Sequence, residues 1–231
     1  MVRIEDKSRC CGCTACQAVC PHDAIVMKAD PLGFRYPEVN LDLCVDCGLC
    51  ERVCTFGESP QPTSPEVYAA RHIDPAEVLS STSGSAFTAL SDYILEAGGV
   101  VYGAAFEGHF HVAHIRAEDK QTRDRQRRSK YVQSDMGQIF RSVREDLVNG
   151  RMVLFSGTPC QVAGLKAYLG KRQEGLLTVD MACHGVPSPG LWEKYKAAVE
   201  IRHGSPLKSV DFRDSSKGWR HYNIRYDFRD K

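Results

Sequence analysis

Eight of the nine cysteines between residues 10 and 54 constrain this chain more than any other feature. They fall as Cys10-x-x-Cys13-x-x-Cys16-x-x-x-Cys20-Pro21 and again as Cys44-x-x-Cys47-x-x-Cys50-x-x-x-Cys54. In a C-x2-C-x2-C-x3-C run three thiolates wrap one cubane and the fourth crosses to a second. The spacing therefore predicts one 4Fe-4S cluster on Cys10, Cys13, Cys16 and Cys54, and another on Cys44, Cys47, Cys50 and Cys20. The crossing makes residues 1–57 one small bacterial-ferredoxin-like unit with an internal repeat. Structural zinc sites use two CxxC pairs rather than two runs of four. A disulfide framework expects a secretory context, whereas the chain has 11 cysteines, an odd number, and no apolar h-region at its N-terminus. Cys11 has no place in the repeat and reads as a bystander.

Composition adds bounds. A net charge of +1 gives no bulk electrostatic case for nucleic acid or an anionic membrane. No stretch is long and apolar enough to span a bilayer. Free thiols and clusters point to a reducing, cytoplasmic setting.

Between the cysteine runs, residues 24–27 and 34–37 read as two strands around the Asp30-Pro31-Leu32-Gly33 turn, a shield for the clusters. Residues 58–65, with three prolines, read as a linker and domain boundary. An α/β region then covers 66–150. Its expected elements are a strand at 66–73, a Ser-rich turn at 80–85, and a helix burying Phe87, Leu90, Tyr93, Ile94 and Leu95 until Gly98. Ser83, Gly84 and Ser85 at that helix start suit either an anion site or plain capping. A buried strand follows at 100–106. Another at 109–115 puts His109 and His111 on one face and His114 on the other. The Arg-rich run 120–130 reads as a solvated surface, with Lys130 beside Tyr131 as a candidate phosphate contact. Ser134 is the expected cap of a helix carrying Ile139, Phe140 and Val143.

Residues 151–231 hold a second centre. The apolar run 152–155 is a strand, Thr158 and Pro159 open a helix ending at Gly170, and 176–182 is a second strand. Strand–helix–strand predicts a parallel βαβ unit. Cys160 and Cys183 then follow two strand C-termini on one sheet edge, where open α/β sheets bind ligands. A first-turn Cys160 is expected to favour the thiolate. Ser188 and Pro189 open a further helix to Gly204, and Tyr222, Ile224, Tyr226 and Phe228 alternate as a last strand.

Ser81-Thr82-Ser83-Gly84, Ser129-Lys130-Tyr131, Gly157-Thr158-Pro159-Cys160-Gln161 and Cys183-His184-Gly185 resemble the coenzyme F-420 hydrogenase/dehydrogenase beta-subunit family. The resemblance implies a flavoprotein that passes electrons between a reduced deazaflavin, or another hydride donor, and iron–sulfur clusters through FAD. It implies a cofactor site on Ser83, Gly84, Ser85, Lys130, Tyr131, Gly157, Thr158, Cys160, Cys183 and His184. It also implies a redox partner subunit, and Cys160 and Cys183 as two ligands of a third iron–sulfur cluster. Ser85 stands where a second glycine is expected. The chain is short for the family, so truncation at the C-terminus is expected. The other reading is a non-enzymatic ferredoxin-type relay docking to a partner oxidoreductase, with a link to polysaccharide biosynthesis. The expected architecture is mixed: a ferredoxin-like α+β unit before an α/β region with a βαβ core.

Overall fold

The computed structural model describes residues 1–56, 64–171, 173–214, 216–218, 221 and 223–230. The linker expected at 58–65 falls mostly outside the described residues, as does Tyr222 of the last strand.

The N-terminal unit is small. Helix α1 (Ala15–Val19) follows the first cysteine loop, and strands β1 (Ile25–Ala29) and β2 (Arg35–Val39) pair antiparallel with Ala29 opposite Arg35. The short helix α2 (Leu49–Arg52) repeats α1 after the second loop. Thr14 and Gly48 precede the two helices with φ of 70° and 72°, so the internal repeat extends to the backbone.

Residues 66–73 form no strand. Val67, Tyr68 and Ile73 are exposed, and the segment meets the rest of the fold at Gly84, whose O accepts from His72 N at 2.7 Å. β-branched and aromatic residues here have no partner surface to bury them, so propensity alone makes no strand. Helix α3 (Pro75–Ser80) follows instead, capped by Asp74, whose side chain accepts from Ala76 N.

Helix α4 (Ala86–Glu96) buries Thr88, Ser91 and Ile94, while Leu90 and Tyr93 face outward. The expected apolar face is therefore rotated, and the reason lies in the Arg-rich run. Arg123 is 1% exposed, and its Nη1 donates to Thr88 O at 3.1 Å, Asp92 Oδ1 at 2.6 Å and the Ser91 hydroxyl. A buried guanidinium requires such partners, so the run is partly interior rather than a solvated face.

Strand β3 (Val100–Glu107) turns into β4 (His111–Ala117). After α5 (Lys120–Asp124) and α6 (Ile139–Val148) comes β5 (Val153–Gly157), then α7 (Pro159–Leu169) and β6 (Leu176–Asp180). The sheet order is β4-β3-β5-β6, with β3, β5 and β6 parallel and β4 antiparallel. The βαβ expectation stands, and the central strands β3 and β5 carry near-continuous buried runs because both their faces are covered, whereas edge strand β6 is only partly buried. Val101 and Leu154 meet Ile94 of α4 on one face, and Val100, Tyr102, Val153 and Phe155 meet α6 and α7 on the other. Ser134 does not cap α6. Gln138 occupies that position, and Ser134 instead contacts His114.

Helix α8 (Pro189–His203) starts with Ser188 accepting from Leu191 N at 3.1 Å. Strands β7 (Leu207–Asp214) and β8 (Asn223–Phe228) form a separate antiparallel pair. Trp192, Phe212, Val112 and Val132 join that pair to the main sheet.

The cysteine unit shares its core with this sheet. Ala15 and Val53 sit in one cluster with Phe140, Phe155, Val162 and Leu165. Arg141 of α6 donates Nε to Ala18 O at 3.0 Å and Nη2 to Cys20 O at 2.9 Å. Backbone meets backbone at the hairpin turn: a Cβ on Gly33 would lie 2.4 Å from Gly190 N. No helix among the described residues is long and apolar enough to cross a membrane.

Candidate iron–sulfur centre and its contact with the α/β region

Two cavities mark the cysteine unit. Cys10, Cys13, Cys16 and Cys54 line one, with Cys11, Val2, Ile4, Met27 and Phe56 among its walls. Cys44, Cys47, Cys50 and Cys20 line the other, with Ile25, Val39 and Val45. The fold thus brings Cys54 to the first loop and Cys20 to the second. Each loop ends in a left-handed residue that opens a short helix, and the cysteine after each helix lines the other loop's cavity. Among the described residues no group of three or more His, Cys, Asp or Glu is gathered as tightly as a single metal ion requires. Thiols spread around a cavity suit a multi-atom cluster, whose irons each take one sulfur. The four-thiol donor sets and apolar walls fit a cubane.

Burial acts on these thiols. It pushes Cys16 up to about 12 and raises Cys10, because a bare thiolate is penalised in an apolar wall. Val2 N donates to Cys50 Sγ at 3.2 Å. Cys47 and Cys54 are exposed, and Leu41, Leu43 and Val45 stand exposed along the second loop.

The first loop rests on α7. A Cβ on Gly164 would lie 2.9 Å from Cys13 Sγ, so glycine is what admits the loop. One turn earlier, Cys160 neighbours Cys11 and lies 3.1 Å from the Thr158 hydroxyl. The Cys160 thiol is pushed up, not down. The Cys11 contact and burial outweigh the helix dipole that was expected to favour its thiolate. Cys11 also rises, to about 12, chiefly through its hydrogen bond with Cys13. Cys11 therefore lies at the meeting of the two regions, a position its place outside the repeat did not reveal. Cys183 is exposed and accepts from Gly185 N at 3.4 Å. A third cluster on Cys160 and Cys183 finds no support in this arrangement.

The remaining expected cofactor residues fall into two groups. Gly157 ends β5 opposite Asp180 of β6, so Thr158 and the Cys183–His184 loop share one sheet edge. Thr158 and Gln161 form a capping box, with Thr158 N donating to Gln161 Oε1 at 2.9 Å. Tyr131 is half exposed against Phe212. By contrast, Gly84 is filled from behind, where a Cβ would lie 2.3 Å from Ala70 O. Ser83 and Ser85 have φ of 54° and 61°, and the buried Ser85 Oγ has no hydrogen-bond partner among the described residues. Lys130 remains partly exposed, but its Nζ is enclosed and donates to Arg125 O at 2.9 Å and Arg127 O at 2.6 Å. Burial lowers its pKa to about 7.

Sequence reading missed a buried polar network beside this edge. His114 is buried, with Nε2 3.0 Å from Ser156 O and Nδ1 2.9 Å from the Ser134 hydroxyl. Gln161 Nε2 donates to the same hydroxyl at 2.9 Å. Burial and nearby Lys130 hold His114 down at about 4, so it is neutral and donates Nε2–H to the carbonyl. Among the described residues the three histidines are not gathered into one group: His109 meets Glu200 and His111 lies 3.7 Å from Asp135. The alternation of the strand carried the signal that His114 points inward.

Residues 9–57 match the family model of the 4Fe-4S dicluster domain, which defines the class of the N-terminal unit. Residues 150–229 match the model for the C terminus of the coenzyme F420 hydrogenase/dehydrogenase beta subunit, so the resemblance read from the motifs is shown at both ends of the chain. No curated protein matches the chain. Among solved structures, a chain of the F420-reducing [NiFe] hydrogenase complex from Methanosarcina barkeri aligns at 20% identity with a TM-score of 0.47. The alignment covers 68% of this chain and 58% of that one.

Proposed function

We propose that the chain is an iron–sulfur electron-transfer subunit. Cys10, Cys13, Cys16 and Cys54 ligate one 4Fe-4S cluster, and Cys44, Cys47, Cys50 and Cys20 the other. The observation that carries this reading is the pair of cavities ringed by those two thiol sets. The bound clusters supply one-electron transfer. The chain supplies thiolate ligands, apolar walls that exclude water, and the Val2 N–H that donates to Cys50 Sγ and tunes the potential. The first cluster faces the α/β region and the second faces outward beside exposed Leu43 and Val45. Electrons accordingly pass between the α/β region and a redox partner docked near the second loop.

The finer reading adds FAD at the edge formed by Gly157, Thr158, Cys183 and His184, with Tyr131, Ser83, Gly84, Ser85, Lys130 and Cys160 as its further candidate contacts. A flavin exchanges two electrons with a hydride donor such as a reduced deazaflavin and single electrons with clusters. The residues of the chain hold and orient it. A second reading, a relay without flavin that docks to a partner oxidoreductase in polysaccharide assembly, is favoured by Gly84 and Lys130 already being engaged by backbone.

Anaerobically purified protein tests both. Iron, acid-labile sulfide and released flavin should all be present, with FAD stoichiometric to the chain. Clusters without flavin would move the weight to the relay, and colourless protein containing zinc would overturn both. Crossed ligation has its own test. Cys54→Ala should remove roughly half the iron and abolish the magnetic interaction between two reduced clusters. Loss of no iron would rule Cys54 out as a ligand.

A further inference from the structure

We propose that Cys11 and Cys160 form a redox-active dithiol that closes to a disulfide between the cluster unit and the α/β region. This does not rest on the flavin reading. Both cysteines lie outside the two four-thiol sets, and both are half-buried. They come from positions far apart in the chain, yet their side chains lie near enough to perturb one another. Helix geometry supports the same contact independently. Residues 160 and 164 of α7 lie on one face. Gly164 is the point where the first loop touches α7, with Cys13 Sγ 2.9 Å from its Cβ position. Cys160, one turn nearer the N-terminus, therefore faces the start of that loop, where Cys11 stands. The Thr158 hydroxyl, 3.1 Å from Cys160 Sγ, and Gln133 Nε2, donating to Cys11 O at 3.5 Å, hold the two ends in place.

The chemistry is thiol–disulfide exchange with a small-molecule disulfide such as oxidised glutathione. One Cys sulfur attacks the glutathione disulfide, and one glutathione leaves as thiol. The second Cys then attacks the mixed disulfide and releases the other. An S–S bond forms between Cys11 and Cys160, the glutathione S–S bond breaks, and two protons leave with the two glutathione thiols. Excess dithiol reverses the reaction. The closed form ties the loop of the first cluster covalently to the helix that begins the candidate cofactor edge.

The test uses the full chain with its clusters, treated anaerobically with oxidised glutathione, quenched in acid, alkylated and digested without reductant. The expected result is one new cross-link joining the peptides of Cys11 and Cys160, reversed by dithiothreitol, with iron content unchanged. Cys11→Ser and Cys160→Ser should each abolish the link and each keep full iron. Alkylation of both thiols after oxidation, or a link from either to another cysteine, would overturn the proposal. So would loss of iron in Cys160→Ser, which would make Cys160 a cluster ligand.

Discussion

Gly164 shows how one residue can set the position of a cluster. It has ordinary helical neighbours, and nothing local asks for glycine in the middle of an 11-residue helix. The Cys13 sulfur does, because any side chain would occupy its place. Gly164→Val should cost roughly half the iron by displacing the first loop while the second cluster stays. Iron content and electron paramagnetic resonance would read it, and full iron would show that the loop yields. His114 gives a prediction with a sign. Its folded pKa of about 4 lies below the ordinary 6.5, so the unfolded chain takes up the extra proton in that window. Stability contributed by neutral His114 is full above 6.5 and is lost as pH falls towards 4, by up to about 3 kcal/mol. Urea midpoints between pH 5 and 7 should rise with pH, and His114→Gln should flatten that rise. An unchanged slope in the variant would show that other groups cause it.

Among the elements, α6 and α7 do most to join the two regions. Arg141 on α6 reaches the last carbonyls of α1, from Gln17 to Cys20, and pairs with Asp23. A cation there satisfies carbonyls that the end of a five-residue helix leaves open. Arg141→Met should destabilise the α1 end by about 1–3 kcal/mol. The check is faster amide exchange at residues 17–20 and faster bleaching of the clusters in air. At the start of α7, Thr158 and Gln161 satisfy open N–H groups, and Gln161 also reaches Ser134. Thr158→Ala should lose about 1 kcal/mol of cap stability, read as a lower urea midpoint with cluster content retained.

At the scale of the molecule, the cysteine unit and the sheet share one apolar cluster, in which Ala15 and Val53 pack with Phe140 and Phe155. Shared burial makes the two parts unfold together. Calorimetry of the cluster-loaded chain should show one transition, and stripping the iron with a chelator should lower it as a whole. Two separate transitions, with the second insensitive to the chelator, would show that the regions are independent.

Much of this was legible before the structure. The cysteine spacing named the cluster chemistry, since iron accepts few donors and a loop of given length can present only so many thiols. The βαβ unit followed from Thr158, Pro159 and Gly170 around two apolar runs, because caps and periodicity are local properties. Failures came where burial is decided by a distant partner. Residues 66–73 have strand composition but no surface to pair with. The Arg-rich run looked solvated until Arg123 met Thr88, Ser91 and Asp92. The caps of α7 and α8 could be read locally, because each depends on neighbours a few residues away. The nearness of Cys11 to Cys160, and of Cys13 to Gly164, could not. Those contacts join positions some 150 residues apart, and only the packing of the first loop on α7 decides them.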